Sequence, residues 1–425
     1  MINKLAHRLA AIEIWVVSVS VLASMIWSQL LLAAIGIAAF FWLIRWINDG
    51  RPSSRTPADW GILLLLLTLP VTLWATTMPE ETQVQVYRLM TGIALYYAIA
   101  NWGVTHHRFR LLLMGFILAT IFLALFAPVS VEWTFSKLPF IPAELYQRFT
   151  LLVSDTIHPN VLAGNLVILL PIPLAILLFN WRSSGWLLRI LASLATISTG
   201  GILLLSQSRG GLLALAMTLA LFFVLRWRWG WVIIAITLLL ALAFITNLGV
   251  DKFVDLLLAG GQSVKSVDGR LEIWSRTIYM IQDFPFTGIG MGSFMTLADR
   301  FYPFFIASPG TIYHAHNLPM QIAVDLGLPG LIAWLAIYFS ILALSWQLYS
   351  SNRRSGQPLL VGIGAGLLGS QAALIVHGML DAVTWGMVRP APILWAIWGL
   401  AVAASRVHAD SRSSNQQNSP SLKPA

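Results

Sequence analysis

The sequence predicts an all-α, polytopic membrane protein, and three observations carry that expectation. Apolar runs of helix-spanning length recur along the whole 425-residue chain, charged residues make up only 10% of it, and arginines gather in every second connection between the runs. A soluble domain carries roughly 25% charged residues. A bilayer core about 30 Å thick calls for about 17–25 apolar residues per helix. This chain is 58% hydrophobic, with a mean hydropathy of +0.77.

About twelve runs meet the length requirement. They lie near residues 10–27, 30–47, 59–76, 83–102, 110–128, 158–180, 186–205, 210–226, 229–249, 329–349, 358–381 and 389–406. Lys4 and Arg8 precede the first run as they would in a signal peptide. That run is long, no small-residue cleavage site follows, and a second run starts at once, so the segment reads as a retained helix.

Arg45, Arg51 and Arg55 fall in one connection, Arg108 and Arg110 in another, then Arg182 with Arg189, Arg226 with Arg228, and Arg353 with Arg354. All share a side with Lys4, Arg8 and the Arg406/Arg412/Lys423 tail. The positive-inside rule makes that side, and both termini, cytoplasmic. The alternate connections, such as Pro79-Glu80-Glu81, then face outward, and two of them are long, about 129–157 and 250–328. The expected organisation is one transmembrane domain over 1–410, with 250–328 a large extracytoplasmic loop and 411–425 a Ser/Asn/Gln/Pro-rich disordered cytoplasmic tail.

The net charge of +9 is absorbed by this arginine pattern, which points to membrane lipids rather than nucleic acid as partners. The chain has no cysteine, which excludes disulfides, thiolate metal sites and cysteine nucleophiles. Among its 19 tryptophans, Trp27, Trp46, Trp60, Trp102, Trp181 and Trp229 stand near helix ends, as interfacial belts require. No internal repeat of the inverted-transporter kind is visible.

Polar, titratable residues beside a bilayer are costly, and here they gather in the outward connections. Ser206-Gln207-Ser208-Arg209-Gly210-Gly211 places an arginine in a short turn between two apolar runs, where a guanidinium fork suits phosphate oxygens. An arginine snorkelling to the interface is the alternative reading. In the large loop, Leu271, Trp274, Ile278 and Ile281 recur at helical spacing and predict an amphipathic helix over about 270–282. Glu272 and Arg276 are placed for an i, i+4 ion pair. Arg270 stands at the helix start, where a cation opposes the dipole unless it faces an anion.

Gly288-Ile289-Gly290-Met291-Gly292-Ser293 reads as a turn, since no lysine completes a nucleotide-binding motif. Tyr313-His314-Ala315-His316-Asn317 offers a general base in one of its histidines, with Asn317 orienting substrate or loop. A metal site lacks an evident third ligand there. His377 and Asp381 form an i, i+4 pair near the outer end of the eleventh run. His158-Pro159-Asn160 reads as a helix start facing the same outer cavity.

Taken as a set, these stretches resemble the O-antigen ligase/polymerase superfamily of bacterial membrane glycosyltransferases. The matching pieces are His158-Pro159-Asn160-Val161-Leu162-Ala163-Gly164, Ser206-Gln207-Ser208-Arg209-Gly210-Gly211 and Gly269-Arg270 with Trp274. The resemblance continues through Pro285-Phe286-Thr287-Gly288-Ile289-Gly290 and His314-Ala315-His316-Asn317 to Gly327-Leu328-Pro329-Gly330. It covers about 150–385, whereas the first five runs match only in being hydrophobic.

It implies a GT-C-like, all-helical glycosyltransferase with a large periplasmic loop in the bacterial cytoplasmic (inner) membrane. Such an enzyme passes a glycan from an undecaprenyl-diphosphate carrier to a glycan, glycolipid or protein acceptor, with inversion and with neither metal nor cofactor. Arg209 and Arg270 would hold the diphosphate, with Arg276 a further candidate, and His316 would be the catalytic base with His314 the extra histidine upstream. Ser208, Asn160, Asn317, His377 and Asp381 would be supporting residues. A repeat-unit polymerase shares the same residues, and a small-anion, bicarbonate-like transporter is the reading from another class.

Overall fold

The computed structural model describes residues 2–133, 142–146, 149, 151, 156–248, 267–305 and 308–417. The chain builds an all-helical bundle. Its first five helices are α1 (Ile2–Ile26), α2 (Leu31–Asp49), α3 (Asp59–Ala75), α4 (Pro79–Trp102) and α5 (His106–Ser130). The short α6 (Ala143–Tyr146) is followed by α7 (Pro159–Leu169), α8 (Pro171–Asn180), α9 (Trp186–Leu205), α10 (Arg209–Arg226) and α11 (Gly230–Leu248). Then come α12 (Val267–Asp283), α13 (Phe294–Phe301), α14 (Leu318–Ser355), α15 (Pro358–Gly378) and α16 (Pro392–Gln417). Among the described residues the only extended pairing is an isolated bridge between Val131 and Ile157.

Nine helical stretches among the described residues are long and apolar enough to cross a membrane, against about twelve expected. The run near 59–76 is the shorter apolar helix Asp59–Ala75, and of α11 only Gly230–Leu240 counts as one, because side chains directly beyond it lie outside the described residues. Helix α4 has sufficient length, but its first half carries Glu80, Glu81, Gln83, Gln85 and Arg88, and it is not among the nine. The run near 158–180 remains one of the nine, although a turn at Leu170 divides it into α7 and α8, where Pro171 and Pro173 remove backbone donors and crowd the preceding turn. The last helix continues past Ser411 to Gln417, so the expected start of the tail falls inside it, and 418–425 lie outside the described residues.

Helices α7, α8, α15 and α16 are the most enclosed, with α16 packed on α4 and α15 packed on α8, α10 and α14. Exposed apolar side chains such as Trp60, Phe122, Leu125, Ile197 and Leu238 cover the outside, as a lipid solvent requires. Trp27, Trp46, Trp60, Trp181 and Trp229 are exposed, as a belt predicts, but Trp102 is buried and donates its indole N–H to the Ala11 carbonyl. It is a core residue.

Basic side chains tie one end of the bundle together. Arg226 donates to the Leu178 carbonyl, Arg353 to the Leu225 carbonyl and the Tyr349 hydroxyl, and Arg406 to the carbonyls of Ala100, Ser54 and Arg55. Within the membrane half of α1 and α2, the buried Glu13 pairs with Arg45, which leaves neither charge unpaired in an apolar setting.

At the opposite end, residues 267–324 form a small core of their own from Ile273, Met280, Ile289, Phe294, Leu297, Ile312, Ala315 and Val324. The buried face of α12 is therefore Ile273, Thr277 and Met280, while Leu271 and Ile278, expected on that face, are exposed. A backbone-on-backbone contact stitches this small core to the bundle. Helix α14 is interrupted at Gly327, whose φ is 71°, and there Leu328 donates to the Pro285 carbonyl and Ile289 to the Val324 carbonyl. A Cβ on Gly327 would meet the Phe286 carbonyl at 2.6 Å, and one on Gly288 would meet the Asp325 carbonyl at 2.6 Å.

Gly327→Ala combines a left-handed backbone with that overlap and is expected to destabilise the protein by about 1–3 kcal/mol or more, read as a lowered thermal midpoint in detergent micelles. Gly36→Ala, with open space around it, is expected to leave the midpoint unchanged or raise it slightly.

Candidate functional site

At the end of the bundle away from the basic ties, three segments distant in sequence converge. The first is the turn that starts α14. Asn317 caps the helix, its side chain accepting the Met320 amide at 3.1 Å, and its Nδ2 donates to the Met379 carbonyl at 3.3 Å. Asn317 thus orients the loop. Ahead of it, Ala315 is fully buried in the small core, so the histidines on either side emerge together. His316 has a φ of 48°, a left-handed conformation uncommon outside glycine. It folds the turn so that its own amide donates to Nδ1 of His314 at 3.1 Å, and the two rings lie 4.0 Å apart.

The second segment follows α15. Here the amide of Asp381 donates to the His377 carbonyl, and its side chain, 5% exposed, points back into the cluster. Its Oδ1 accepts the Ala382 amide at 3.0 Å and faces Nδ1 of His316 at 3.4 Å and Nε2 of His314 at 3.6 Å. Its Oδ2 accepts from Asn160 at 3.4 Å. Asn160 comes from the third segment, the start of α7, which His158 caps by accepting the Asn160 amide on Nδ1.

Burial favours the neutral Asp381 acid, but the hydrogen bond from His316 and the surrounding histidines outweigh it and hold the carboxyl well below the usual range. Burial pushes the His314 ring down to about 4, helped by His316 and opposed by Asp381. Near neutral pH, His314 is an uncharged ring beside an ionised carboxylate.

These contacts assign the tautomers. A backbone N–H can only donate, so Nδ1 of His314 is the acceptor and its proton sits on Nε2, toward Asp381. Both of its nitrogens are therefore engaged. His316 is the reverse: Nδ1 faces Asp381 and carries the proton, so Nε2 keeps its lone pair. Donor atoms of His314, His316 and Asp381 lie within 4.8 Å of one another, a spacing that could hold a metal ion. A histidine ligating through Nε2 needs its proton on Nδ1, usually given to an acceptor. For His314 that proton would point into the His316 amide, so the donor set fits a hydrogen-bonded cluster better than a metal.

Arg270 lies within electrostatic reach of Asp381 and His314, and Arg209 stands at the start of α10, whose first turn approaches Leu380 and His377. Arg209 opens α10 after a three-residue connection in which Ser208 caps the helix by accepting the Gly211 amide, and Ser206 bonds back to the Leu203 carbonyl. Gln207, with φ 51°, donates to the Tyr146 hydroxyl. A Cβ on Gly210 would stand 3.5 Å from Leu380 and 3.6 Å from the His377 ring, so the first turn of α10 lies beside the Asp381 segment. Arg270 is half-buried on α12. Burial draws its guanidinium down, while the charge of Asp381 works the other way.

His377 is buried, and Gly164 makes room for its ring, since a Cβ there would lie 2.9 Å from Cε1. Arg276 is not brought into the cluster. Its guanidinium stands over the Phe305 ring at 5.5 Å, and Glu272, instead of pairing with it, accepts the Phe305 amide at 2.6 Å. Sequence reasoning missed Gln321, Asp325, Trp385 and Thr72, which are bonded to one another or to the turn. The available signal was an amide and a carboxylate four residues apart in an apolar helix.

Residues 192–335 match the family model described as O-antigen ligase. That match supports the O-antigen ligase/polymerase superfamily and a glycosyltransferase- or ligase-type enzyme acting on lipid-linked glycans. It takes in Arg209, Arg270, His314 and His316 and leaves Asn160, His377 and Asp381 outside. No curated protein matches the chain.

The tautomer assignment has a direct check. In protein with ¹⁵N-labelled histidine, the His314 ring is expected to stay neutral and protonated on Nε2 as pH falls to about 4, while an ordinary histidine charges near 6.5. Because its folded value lies below the unfolded one, His314 favours folding above about pH 6.5 and progressively loses that contribution toward pH 4. A doubly protonated His314 ring at pH 6 would contradict the arrangement.

Proposed function

We propose that this multi-pass membrane protein of the O-antigen ligase/polymerase type transfers a glycan from an undecaprenyl-diphosphate carrier to an acceptor hydroxyl. In this reading the basic end of the bundle and both termini are cytoplasmic, and the cluster at the other end works at the outer face of the bacterial cytoplasmic membrane. The observation that carries it is His316, held in a left-handed turn with Nδ1 against Asp381, in a cluster that Arg270 reaches electrostatically.

The acceptor hydroxyl attacks the anomeric carbon of the donor sugar as His316 Nε2 takes its proton. The bond from that carbon to the diphosphate oxygen breaks, its electron pair leaves with undecaprenyl diphosphate, and the anomeric centre inverts. Charge grows on the leaving diphosphate, so guanidinium groups fixed at Arg209 and Arg270 stabilise the transition state more than the bound substrate. Asp381 stabilises the imidazolium that forms on His316. Asn160 and Ala382 hold the carboxylate in place, and Ser208 fixes the helix start from which Arg209 projects. No step calls on a metal or cofactor.

His314 has both nitrogens committed, so the geometry favours His316 as the base. Arg276, engaged with Phe305, is a packing residue in this account. A path for small anions would need matching groups at the basic end, and the arginines described there are spent on helix-end carbonyls.

Transfer from a purified lipid-linked glycan in proteoliposomes tests the roles. His316→Ala is expected to lose roughly 10²–10⁴-fold in kcat, and Arg209→Ala and Arg270→Ala about 10²–10³-fold each. Arg276→Ala is expected to stay within a few-fold of wild type. Wild-type turnover by all of the first three variants would sink the assignment. In cells, loss of the gene or His316→Ala is expected to leave carrier-bound glycan accumulating, as full-length chains for a ligase and as single repeat units for a polymerase.

A further inference from the structure

The mechanism leaves unused a carboxylate in the most enclosed part of the bundle. Asp325 is fully buried, and each of its oxygens is taken by a different arm of the site. Its Oδ1 accepts from Gln321 Nε2 at 2.8 Å, and Gln321 Oε1 in turn accepts the amide of Ala315, between the two histidines, at 2.8 Å. Its Oδ2 accepts the indole N–H of Trp385 at 2.8 Å. The Trp385 amide bonds the carbonyl of Ala382, whose own amide holds Asp381. Gln321, Ala315 and Trp385 are themselves at most 2% exposed.

The direction of every bond in this chain is forced. The Ala315 amide can only donate, so the Gln321 oxygen must face it, and the Gln321 nitrogen must donate to Asp325. An indole N–H can only donate too. Both oxygens at position 325 are therefore required as acceptors, and no flip of an amide satisfies both ends. The main-chain carbonyl of Asp325 adds a third tie, accepting from Thr72 at 3.1 Å, and Thr72 accepts the Met291 amide at 3.0 Å.

We propose that Asp325 is a positioning residue for the transfer reaction. It sets the separation of His316 from Asp381 by clamping the histidine turn through Gln321 with one oxygen and the Asp381 segment through Trp385 with the other. The proposal rests on His316 being the base. In a close-packed interior the two segments have no slack of their own, so a clamp from a common point fixes the dyad more tightly than its own contacts at 3.4 and 3.6 Å.

Asp325→Asn keeps the shape and presents an N–H to one of two donors. It is expected to lower kcat about 10²-fold, the scale of a displacement near 1 Å, with KM for the lipid-linked donor unchanged because the arginines lie outside the clamp. The ¹⁵Nδ1 resonance of His316 is expected to move in the same variant, since a His316 separated from Asp381 loses its acceptor. Trp385→Phe removes one donor only and is expected to shift both readouts the same way by less. It carries the test where Asp325→Asn does not survive extraction.

The indole N–H resonance of Trp385, identified by its absence in Trp385→Phe, is expected to move in Asp325→Asn. A wild-type kcat and an unmoved His316 resonance in Asp325→Asn overturn the proposal. So does a lowered kcat with an unmoved His316 resonance and a lowered thermal midpoint, which is the signature of simple destabilisation. His316→Ala, run in parallel, separates the two readings. If it is active, the base assignment falls and the clamp loses its catalytic meaning; if it is inactive beside a wild-type-like Asp325→Asn, only the clamp falls.

Discussion

A carboxylate withdrawn from water must be surrounded by donors or it will not stay ionised, and Asp381 organises the site by that requirement. Its oxygens draw in the Ala382 amide, Asn160 from α7 and both histidines ahead of α14. None of these contacts is individually strong. Together they replace the water that burial removed, and they converge three segments that the chain order keeps up to 221 residues apart. Arg270 adds a positive charge whose own burial is eased by Asp381.

The turn carrying the histidines illustrates how local strain is held by its surroundings. His316 occupies a left-handed backbone, Asn317 next to it is extended, and the helix begins immediately after. Such a conformation persists when its neighbours over-determine it. Here Ala315 is locked in the small core, the Asn317 side chain bonds both the new helix and Met379, and the His316 amide is taken by His314. The result is that two adjacent histidines end in different states. One has both nitrogens committed, and the other keeps a lone pair.

The helical core and the small outer core are joined by close backbone approach. Gly288 and Gly327 each lie where a Cβ would overlap the other segment's main chain. That seam makes Gly288 and Gly327, 39 residues apart, one feature of the fold. Proline and glycine interrupt the same helix within three residues, and the amide freed at Leu328 finds the Pro285 carbonyl instead.

From the sequence alone, the membrane class and most helices were legible, because bilayer thickness prescribes the length of an apolar run and one run can be judged without its neighbours. Arg209, Arg270, His316 and Asp381 could be singled out for a similar reason: charge beside lipid stands out by residue type. The breaks depended on local chemistry that an apolar count overlooks, as at Pro171 and in the polar first half of α4. Contacts between distant segments were decided by the tertiary structure alone. It sent Trp102 into the core, set Arg276 over Phe305, and rotated the buried face of α12 so that Trp274 and Ile281 pack inward but Leu271 and Ile278 do not. The path of the His316 amide, which ends on Nδ1 of His314, is likewise a feature of the folded turn alone. Gln321, Asp325 and Trp385 stayed hidden for the same reason: each looks ordinary in its own helix or loop, and a hydrogen bond's meaning lies in the partner that folding supplies.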